Sequence, residues 1–398
     1  MIRVGFILTW YETGRGSHLS YDTSLYQRLA QSLADGKGLQ VDGVPTSRRP
    51  PLYPLFIAFL LKFTPFPGGV QVVQALLGAI SCVVLFVIGR ELFGTKTGIL
   101  ASAIFAIDYI SAREVISVLP EILFTFLLLA SFYLLVRWEK ENKNRWLVAA
   151  GFFAGLSLLT KDVLVFYFPF VALWFFLRAQ SWRARFYQAA AFLTGLFFVV
   201  APWVVRNCYL HRYPVLITVS SGHAFYWGNS PQTTIRIKEG HWEMERDTVY
   251  PTDPHVPPDP KLPPYFSLEA DRYLLHKALD YVWKNPASFV KRMQMKILKM
   301  WYPYYSESPT LARWATAVCY IPVLIFGLFG IACCVNRWRE FFPIFAFFVY
   351  MVVVHAVTIS EIRYRYPVMP FLMAFASYGA LVLWKKVHSS RLEEVRQG

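Results

Sequence analysis

The chain is dominated by long apolar runs that carry no charge except at their ends, such as 70–88, 119–136 and 341–357. Wound as helix at about 1.5 Å per residue, a run of that length crosses a hydrocarbon layer roughly 30 Å thick. Such a layer offers no water to backbone N–H and C=O groups, so the run has to satisfy them internally, as a helix does. A water-soluble domain buries one or two helices of this kind. Here there are nine, at 70–91, 97–111, 119–137, 146–160, 163–178, 186–205, 312–335, 341–358 and 366–384. The short run 1–10, with Arg3 inside it, reads as the last turns of a further helix whose beginning is missing, which brings the count to about ten. Hydrophobic residues are 56% of the chain and charged ones 16%, against about 25% charged in ordinary globular chains. The predicted fold class is an all-α polytopic membrane protein.

Basic residues fall in short connections. Arg137, Lys140, Lys143 and Arg145 share one, Arg178, Arg183 and Arg185 the next but one, Arg337 and Arg339 another, and Lys385, Lys386, Arg391 and Arg396 the tail. These connections alternate and are predicted to face the cytoplasm. The net charge of +15 is therefore topological, and nucleic acid is not an expected partner. The five cysteines show neither a paired framework nor metal-ligand spacing. The expected organisation is an N-terminal transmembrane module at 1–205 with a first outer loop at 11–69, a large outer loop at 206–311, C-terminal transmembrane helices at 312–384 and a cytoplasmic tail at 385–398.

The first outer loop has internal order. Residues 22–34 carry Leu25, Leu29 and Leu33 at helical spacing, with Gly36 and Gly38 as stops. A short apolar helix follows Arg48-Arg49-Pro50-Pro51 over 52–63, and both helices are expected to lie along the membrane surface. The large loop is Pro-rich over 250–264. It then holds two helices, one begun by Ser267 and one by Asn285-Pro286. The second carries Lys291, Arg292, Lys296 and Lys299 and reads either as a basic face for anionic headgroups or as a solvated charged face.

No Walker, Rossmann, H-E-x-x-H or D-x-D pattern is present, which argues against ATP-driven transport and against direct use of nucleotide sugars. What remains is a set of ionisable residues gathered on the predicted outer face: Asp22, Glu121, Lys161 with Asp162, Arg206 with Asn207, and Arg363-Tyr364-Arg365. Charged groups at membrane depth are costly and mark functional sites by default. By type and spacing alone, Asp22 also reads as a helix cap, Glu121 as a first-turn acid favoured by the macrodipole, and the arginines as snorkelling residues.

Several ordered stretches carry a resemblance. They are Tyr21-Asp22-Thr23-Ser24-Leu25-Tyr26, Arg49-Pro50-Pro51-Leu52-Tyr53-Pro54, Pro120-Glu121-Ile122-Leu123-Phe124 and Gly155-Leu156-Ser157-Leu158-Leu159-Thr160-Lys161. Further on come Pro202-Trp203-Val204-Val205-Arg206-Asn207, Gly222 with Tyr226-Trp227-Gly228-Asn229-Ser230-Pro231, and Glu361-Ile362-Arg363-Tyr364-Arg365-Tyr366-Pro367. Together these resemble the polyprenol-phosphate-dependent membrane glycosyltransferases of the GT-C class, the superfamily of the protein O-mannosyltransferases and the lipid A aminoarabinose transferase. The resemblance implies a GT-C-like helical bundle with Asp22 as catalytic base and Glu121 in the same pocket. It further implies Arg206, then Arg363, as holders of the lipid phosphate, with Lys161 at the pocket and Arg365 beside Arg363 also on the donor-binding side. Members often carry two adjacent acids in the first outer loop; Thr23 stands in the second place here.

The implied activity is transfer of a sugar from a polyprenyl-phosphate donor to a glycolipid, lipid A, wall-polymer or protein acceptor, with inversion. The expected place is the outer, periplasmic or extracellular face of the cytoplasmic membrane. A sugar on a phosphate already has a good leaving group, so one base and a few cations suffice. No cofactor is required, and a divalent metal is optional. The alternative from another class is a transporter or flippase for a lipid-linked molecule. Such proteins usually show repeated halves with polar groups at mid-membrane, and neither is visible here. A non-catalytic polymer-assembly subunit is a third reading.

Overall fold

Apolar runs of this kind become rods, and the rods pack antiparallel. The structure, a computed structural model, describes Arg3, Gly5, Ile7 and residues 21–178, 181–231, 233–238, 241–245, 263–264, 267–304 and 310–397. Its elements in chain order are α1 (Tyr21–Ala34), α2 (Leu52–Leu60), α3 (Gly68–Phe93), α4 (Thr95–Ile107), α5 (Tyr109–Arg113), α6 (Glu121–Glu141), α7 (Asn144–Thr160), α8 (Phe168–Arg178) and α9 (Trp182–His211). They continue as α10 (Ser221–Asn229), α11 (Leu268–Lys284), α12 (Pro286–Met300), α13 (Thr310–Cys333), α14 (Trp338–Val357) and α15 (Met369–Gln397).

Each of the nine apolar runs is a helix. Among the described residues, six helices are long and apolar enough to cross a membrane. The runs at 97–111, 146–160 and 163–178 form the shorter α4, α7 and α8; the last is cut back because Asp162–Leu164 turns as a 3-10 helix before α8 begins. Of the first ten residues only Arg3, Gly5 and Ile7 are described, and these are helical. The rest of that run lies outside the described residues, as does nearly all of the Pro-rich stretch at 250–264. The predicted tail continues α15 as helix to Gln397.

Two features hold the bundle. Aromatic rings fill its centre: Phe132 meets Phe371 at 4.6 Å between ring centroids and Phe347 at 6.2 Å. Between α7 and α9 the side chains are removed instead. A Cβ at Gly151 would stand 1.9 Å from the Phe192 carbonyl oxygen, and one at Gly195 would stand 2.0 Å from that of Val148. Helices in lipid associate by such close packing, because no hydrophobic gain drives them together. The α7–α9 contact matters for the site, since α7 ends at Lys161 and α9 carries Arg206 and Asn207. The opposite end of the bundle is tied by ion pairs of Lys140 with Glu91 and of Arg178 with Glu139.

Two antiparallel hairpins were not foreseen. Gln40–Val41 pairs with Val44–Pro45 across Asp42 and Gly43, whose φ values of 53° and 81° give the turn twist that Asp-Gly favours. Thr234–Lys238 pairs with His241–Glu245. The basic helix α12 also differs from both of its expected readings. Lys296 and Lys299 turn inward, 0% and 6% exposed. Lys296 donates to the Asn229 side-chain oxygen at 2.9 Å, and Lys299 pairs with Glu361 at 3.0 Å. Burial without a carboxylate partner, with Arg292 nearby, lowers Lys296 to about 7.

Candidate active site

Five segments distant in the chain bring charged side chains to one end of the bundle. Asp22 sits in the first turn of α1, and its carboxylate is shared by two guanidiniums: Arg363 Nη2 donates to Oδ2 at 2.8 Å, and Arg49 pairs with Oδ1. Arg49 precedes Pro50-Pro51, where a residue before proline is held out of the α region, and it sits in a bend of the chain at 48–49. Arg363 lies on the 3-10 helix Ile362–Val368 that leads into α15. Its Nε is 3.9 Å from Glu121 Oε1. The same oxygen accepts from Lys161 Nζ at 3.0 Å. Tyr364 lies beneath both cations, with Lys161 Nζ 4.6 Å and Arg363 Cζ 5.4 Å from its ring centroid, and stacks on His355 at 4.5 Å.

Exposure divides the roles. The Glu121 side chain is only 4% accessible, whereas Asp22 retains 27%, Arg363 20%, Arg49 19% and Lys161 15%. Glu121 thus aims Lys161 and Arg363 from beneath, and its Oε2 is buried with no hydrogen-bond partner among the described residues. An arriving molecule meets Asp22 and three cations. Burial would lower Arg49, but the carboxylate of Asp22 outweighs it and holds that guanidinium above its ordinary value. Among the described residues, no group of three or more His, Cys, Asp or Glu side chains is arranged to hold a metal.

Of the six residues assigned to the site from the resemblance, Asp22, Glu121, Lys161 and Arg363 come together. The contacts of Arg206 and Arg365 lie elsewhere. Arg206 stacks on Trp203 at 4.6 Å and donates to the Thr46 carbonyl oxygen at 3.1 Å and to Ser47 Oγ at 2.7 Å. It thereby ties the strand before Arg49 to α9. Arg365 is fully buried and donates to the backbone oxygens of Met300, Tyr302 and Pro303, with its Cζ 4.0 Å from the Tyr320 ring centroid. Arg49 was missed as a site residue, although its place before two prolines in a quoted motif was a usable signal.

Two further features adjoin the cluster. An apolar groove of about 370 Å³ is lined by Leu52, Leu55, Phe56, Phe59, Leu123, Leu127 and Leu156. Its lining is close in the chain to the charged residues: Leu52 follows Arg49 by three residues, and Leu123 follows Glu121 by two. Leu55 and Phe59 remain 46% and 60% exposed. On the loop side, Asp271 of α11 accepts from the backbone N–H groups of Gly222 and His223 at 3.0 and 2.9 Å, and His223 Nδ1 lies 2.8 Å from its Oδ1. Burial pushes His223 down to about 4 despite the carboxylate, so at neutral pH this is a hydrogen bond from a neutral imidazole. For Asp271, burial is outweighed by His223 and the two N–H groups, and its carboxyl falls below the usual range.

The comparisons with known proteins agree with this architecture. Residues 48–205 match the model of the family described as dolichyl-phosphate-mannose-protein mannosyltransferase. The fold is similar to that of the oligosaccharyltransferase of Archaeoglobus fulgidus in its apo form, with a TM-score of 0.54 and 14% identity, over 95% of this chain and 48% of that one. It is also similar to AglB from the same organism in complex with an inhibitory peptide and a dolichol-phosphate, with a TM-score of 0.52 and 12% identity, over 94% and 47% of the two chains. ArnT from Cupriavidus metallidurans, bound to undecaprenyl phosphate, aligns over 95% of this chain and 77% of its own, at a TM-score of 0.45 and 12% identity. The chain spans about half the length of the archaeal enzymes it matches. No curated protein matches it by sequence. The match over residues 48–205 and the similar helical folds agree with the resemblance drawn from the motifs to the polyprenol-phosphate-dependent glycosyltransferases of the GT-C class, and with a polytopic membrane protein.

Proposed function

We propose that this protein transfers a sugar from a polyprenyl-phosphate donor to an acceptor hydroxyl. The observation that carries the reading is the carboxylate of Asp22 held between Arg49 and Arg363, together with an apolar groove lined by residues near Arg49 and Glu121 in the chain. A lipid phosphate needs that combination: cations for its head, an uncharged trough for its tail and a base within reach of its first sugar carbon. The family matched by residues 48–205 is described as using a dolichyl-phosphate sugar, and AglB of Archaeoglobus fulgidus binds a dolichol-phosphate, which supports this donor class.

The chemistry follows from charge. A carboxylate clamped by two guanidiniums is a weak base. A phosphate entering between Arg49 and Arg363 takes over their hydrogen bonds, and Asp22 regains proton affinity. The acceptor oxygen then attacks the anomeric carbon while Asp22 removes its proton. The bond from that carbon to the phosphate oxygen breaks, and the configuration inverts. Arg49, Arg363 and Lys161 hold the charge that develops on the leaving lipid phosphate. Glu121 positions two of these cations. Arg206 orders the loop that carries Arg49, and Arg365 anchors the segment that carries Arg363. No step requires a metal.

The site would face the periplasm or exterior of the cytoplasmic membrane, since the connections at the other end carry the short basic clusters. The acceptor is a glycolipid, lipid A, wall polymer or protein. Asp22→Asn keeps the size of the side chain and removes the base. Sugar transfer from undecaprenyl-phosphate donors in membranes should fall by about 100-fold or more. Full activity in this variant would refute the mechanism.

A further inference from the structure

The circuit of contacts around Asp22 closes through a third carboxylate, after that of Glu121. From Asp22 it passes through Arg363 and Glu121 to Lys161, whose neighbour in the chain is Asp162. Asp162 Oδ2 accepts from Thr218 Oγ1 and, at 3.2 Å, from Ser220 Oγ. Between them Val219 N–H donates to the Ser47 carbonyl oxygen at 3.0 Å, and Ser47 stands two residues before Arg49, which returns to Asp22.

The segment that holds the hydroxyls is rigid and faces one way. The Ile217 carbonyl oxygen accepts from Trp203 Nε1 at 2.7 Å and from Asn207 Nδ2 at 3.0 Å. Ile217 and Val219 are buried, whereas Thr218 and Ser220 are half-exposed, the two-residue alternation of an extended strand. Asp162 itself is half-exposed, and its Oδ1 accepts no hydrogen bond from any described residue. Each hydroxyl keeps acceptor capacity after donating to the carboxylate. Asp162 follows Lys161 directly, the Val219 N–H joins this strand to Ser47 two residues before Arg49, and the charge of Asp162 acts on Arg49 and Tyr26.

We propose that Asp162, Thr218 and Ser220 form the subsite that reads the sugar, with the open carboxylate oxygen and the two hydroxyls accepting hydrogen bonds from hydroxyls of the glycosyl group. A group covalently attached to a phosphate held at Arg49 and Arg363 must lie within one ring's width of those cations. A carboxylate flanked by two hydroxyls suits a polyol and gives a phosphate nothing but repulsion. The inference rests on the proposed function and deepens it by separating recognition of the sugar from recognition of the lipid phosphate.

The test compares binding of bare undecaprenyl phosphate with undecaprenyl phosphate bearing glucose, mannose, galactose or arabinose, on the full chain in lipid nanodiscs. Wild type should bind at least one glycosylated lipid more tightly than the bare one, by about 10- to 100-fold. Asp162→Asn still accepts from Thr218 and Ser220 and so keeps the strand in place. It should erase that preference while leaving bare-lipid binding within about twofold. Thr218→Val with Ser220→Ala should reduce the preference without abolishing it. A parallel loss of both lipids in Asp162→Asn, or a preserved preference, would overturn the inference. So would a wild type that binds the bare lipid as tightly as every glycosylated one. A wild type that binds none of the lipids would sink the proposed function and this inference together.

Discussion

At the scale of single residues, the site is a problem in sharing one negative charge. Asp22 is accessible and held by two guanidiniums, while Glu121 beneath it is buried and holds Lys161 and Arg363. Truncating one partner of such a pair leaves the other charge uncompensated, which costs about 3–5 kcal/mol where the pair is buried and less where water reaches it. Arg49 is the side chain on which the present reading differs most from the sequence. Arg49→Ala should cut transfer by about 100-fold and weaken binding of bare undecaprenyl phosphate, and Arg49→Lys should recover only part of both, because an ammonium lacks the bidentate fork. Activity equal to wild type in Arg49→Ala would remove this residue from the mechanism. Asp22, Glu121, Lys161 and Arg363 were legible because ionisable residues at the ends of apolar runs are rare and stand out. Arg49 was not singled out, since it stands beside Arg48 and residue type does not say which of the two reaches the site; Asp162 was gathered with Lys161 in the outer set but was given no role.

At the scale of elements, α10 and α11 meet through a buried apolar cluster of Tyr226, Ala270, Leu274 and Ala278 with polar contacts beside it. The joint between α10 and α11 depends on Asp271, which caps the first turn of α10 and accepts from His223. Burial holds His223 down at about 4, below its ordinary 6.5. The unfolded chain therefore binds the extra proton first as pH falls. The stability this residue contributes is fully present above 6.5 and is lost as pH drops toward 4. Acid unfolding in detergent should show a loss of up to ~3 kcal/mol over that window, and His223→Gln should flatten it. An unchanged slope in the variant would show that His223 does not titrate on unfolding. The sequence foresaw α11 and α12 from Ser267 and Asn285-Pro286, and their starts agree closely. It did not foresee that Lys296 and Lys299 face inward, because helical periodicity gives the spacing of a face and not the partner on which that face packs.

At the scale of the whole molecule, the apolar groove is lined by α2, α6 and α7, while Arg49 stands just before α2, Glu121 at the start of α6 and Lys161 just after α7. The groove implies dependence on the donor's tail. Leu127→Glu places a charge among Leu52, Phe56 and Leu156 and should raise the KM for undecaprenyl-linked donors by about tenfold or more. It should leave a soluble analogue with a one-isoprene tail nearly unaffected. An equal effect on both donors would mean that the tail lies elsewhere. The sequence by itself determined the membrane class and the helical runs, because uncharged segments of this length have no other stable state in lipid. It also determined the set of ionisable residues from which a site could be built. Tertiary structure alone decided that Asp22 meets Arg363 across 341 residues, that Arg206 and Arg365 serve as anchors, and that Asp162 closes the circuit. Those pairings depend on which faces the helices present to one another. Close approaches such as Gly151 on Phe192 set those faces, and apolar periodicity alone carries no record of them.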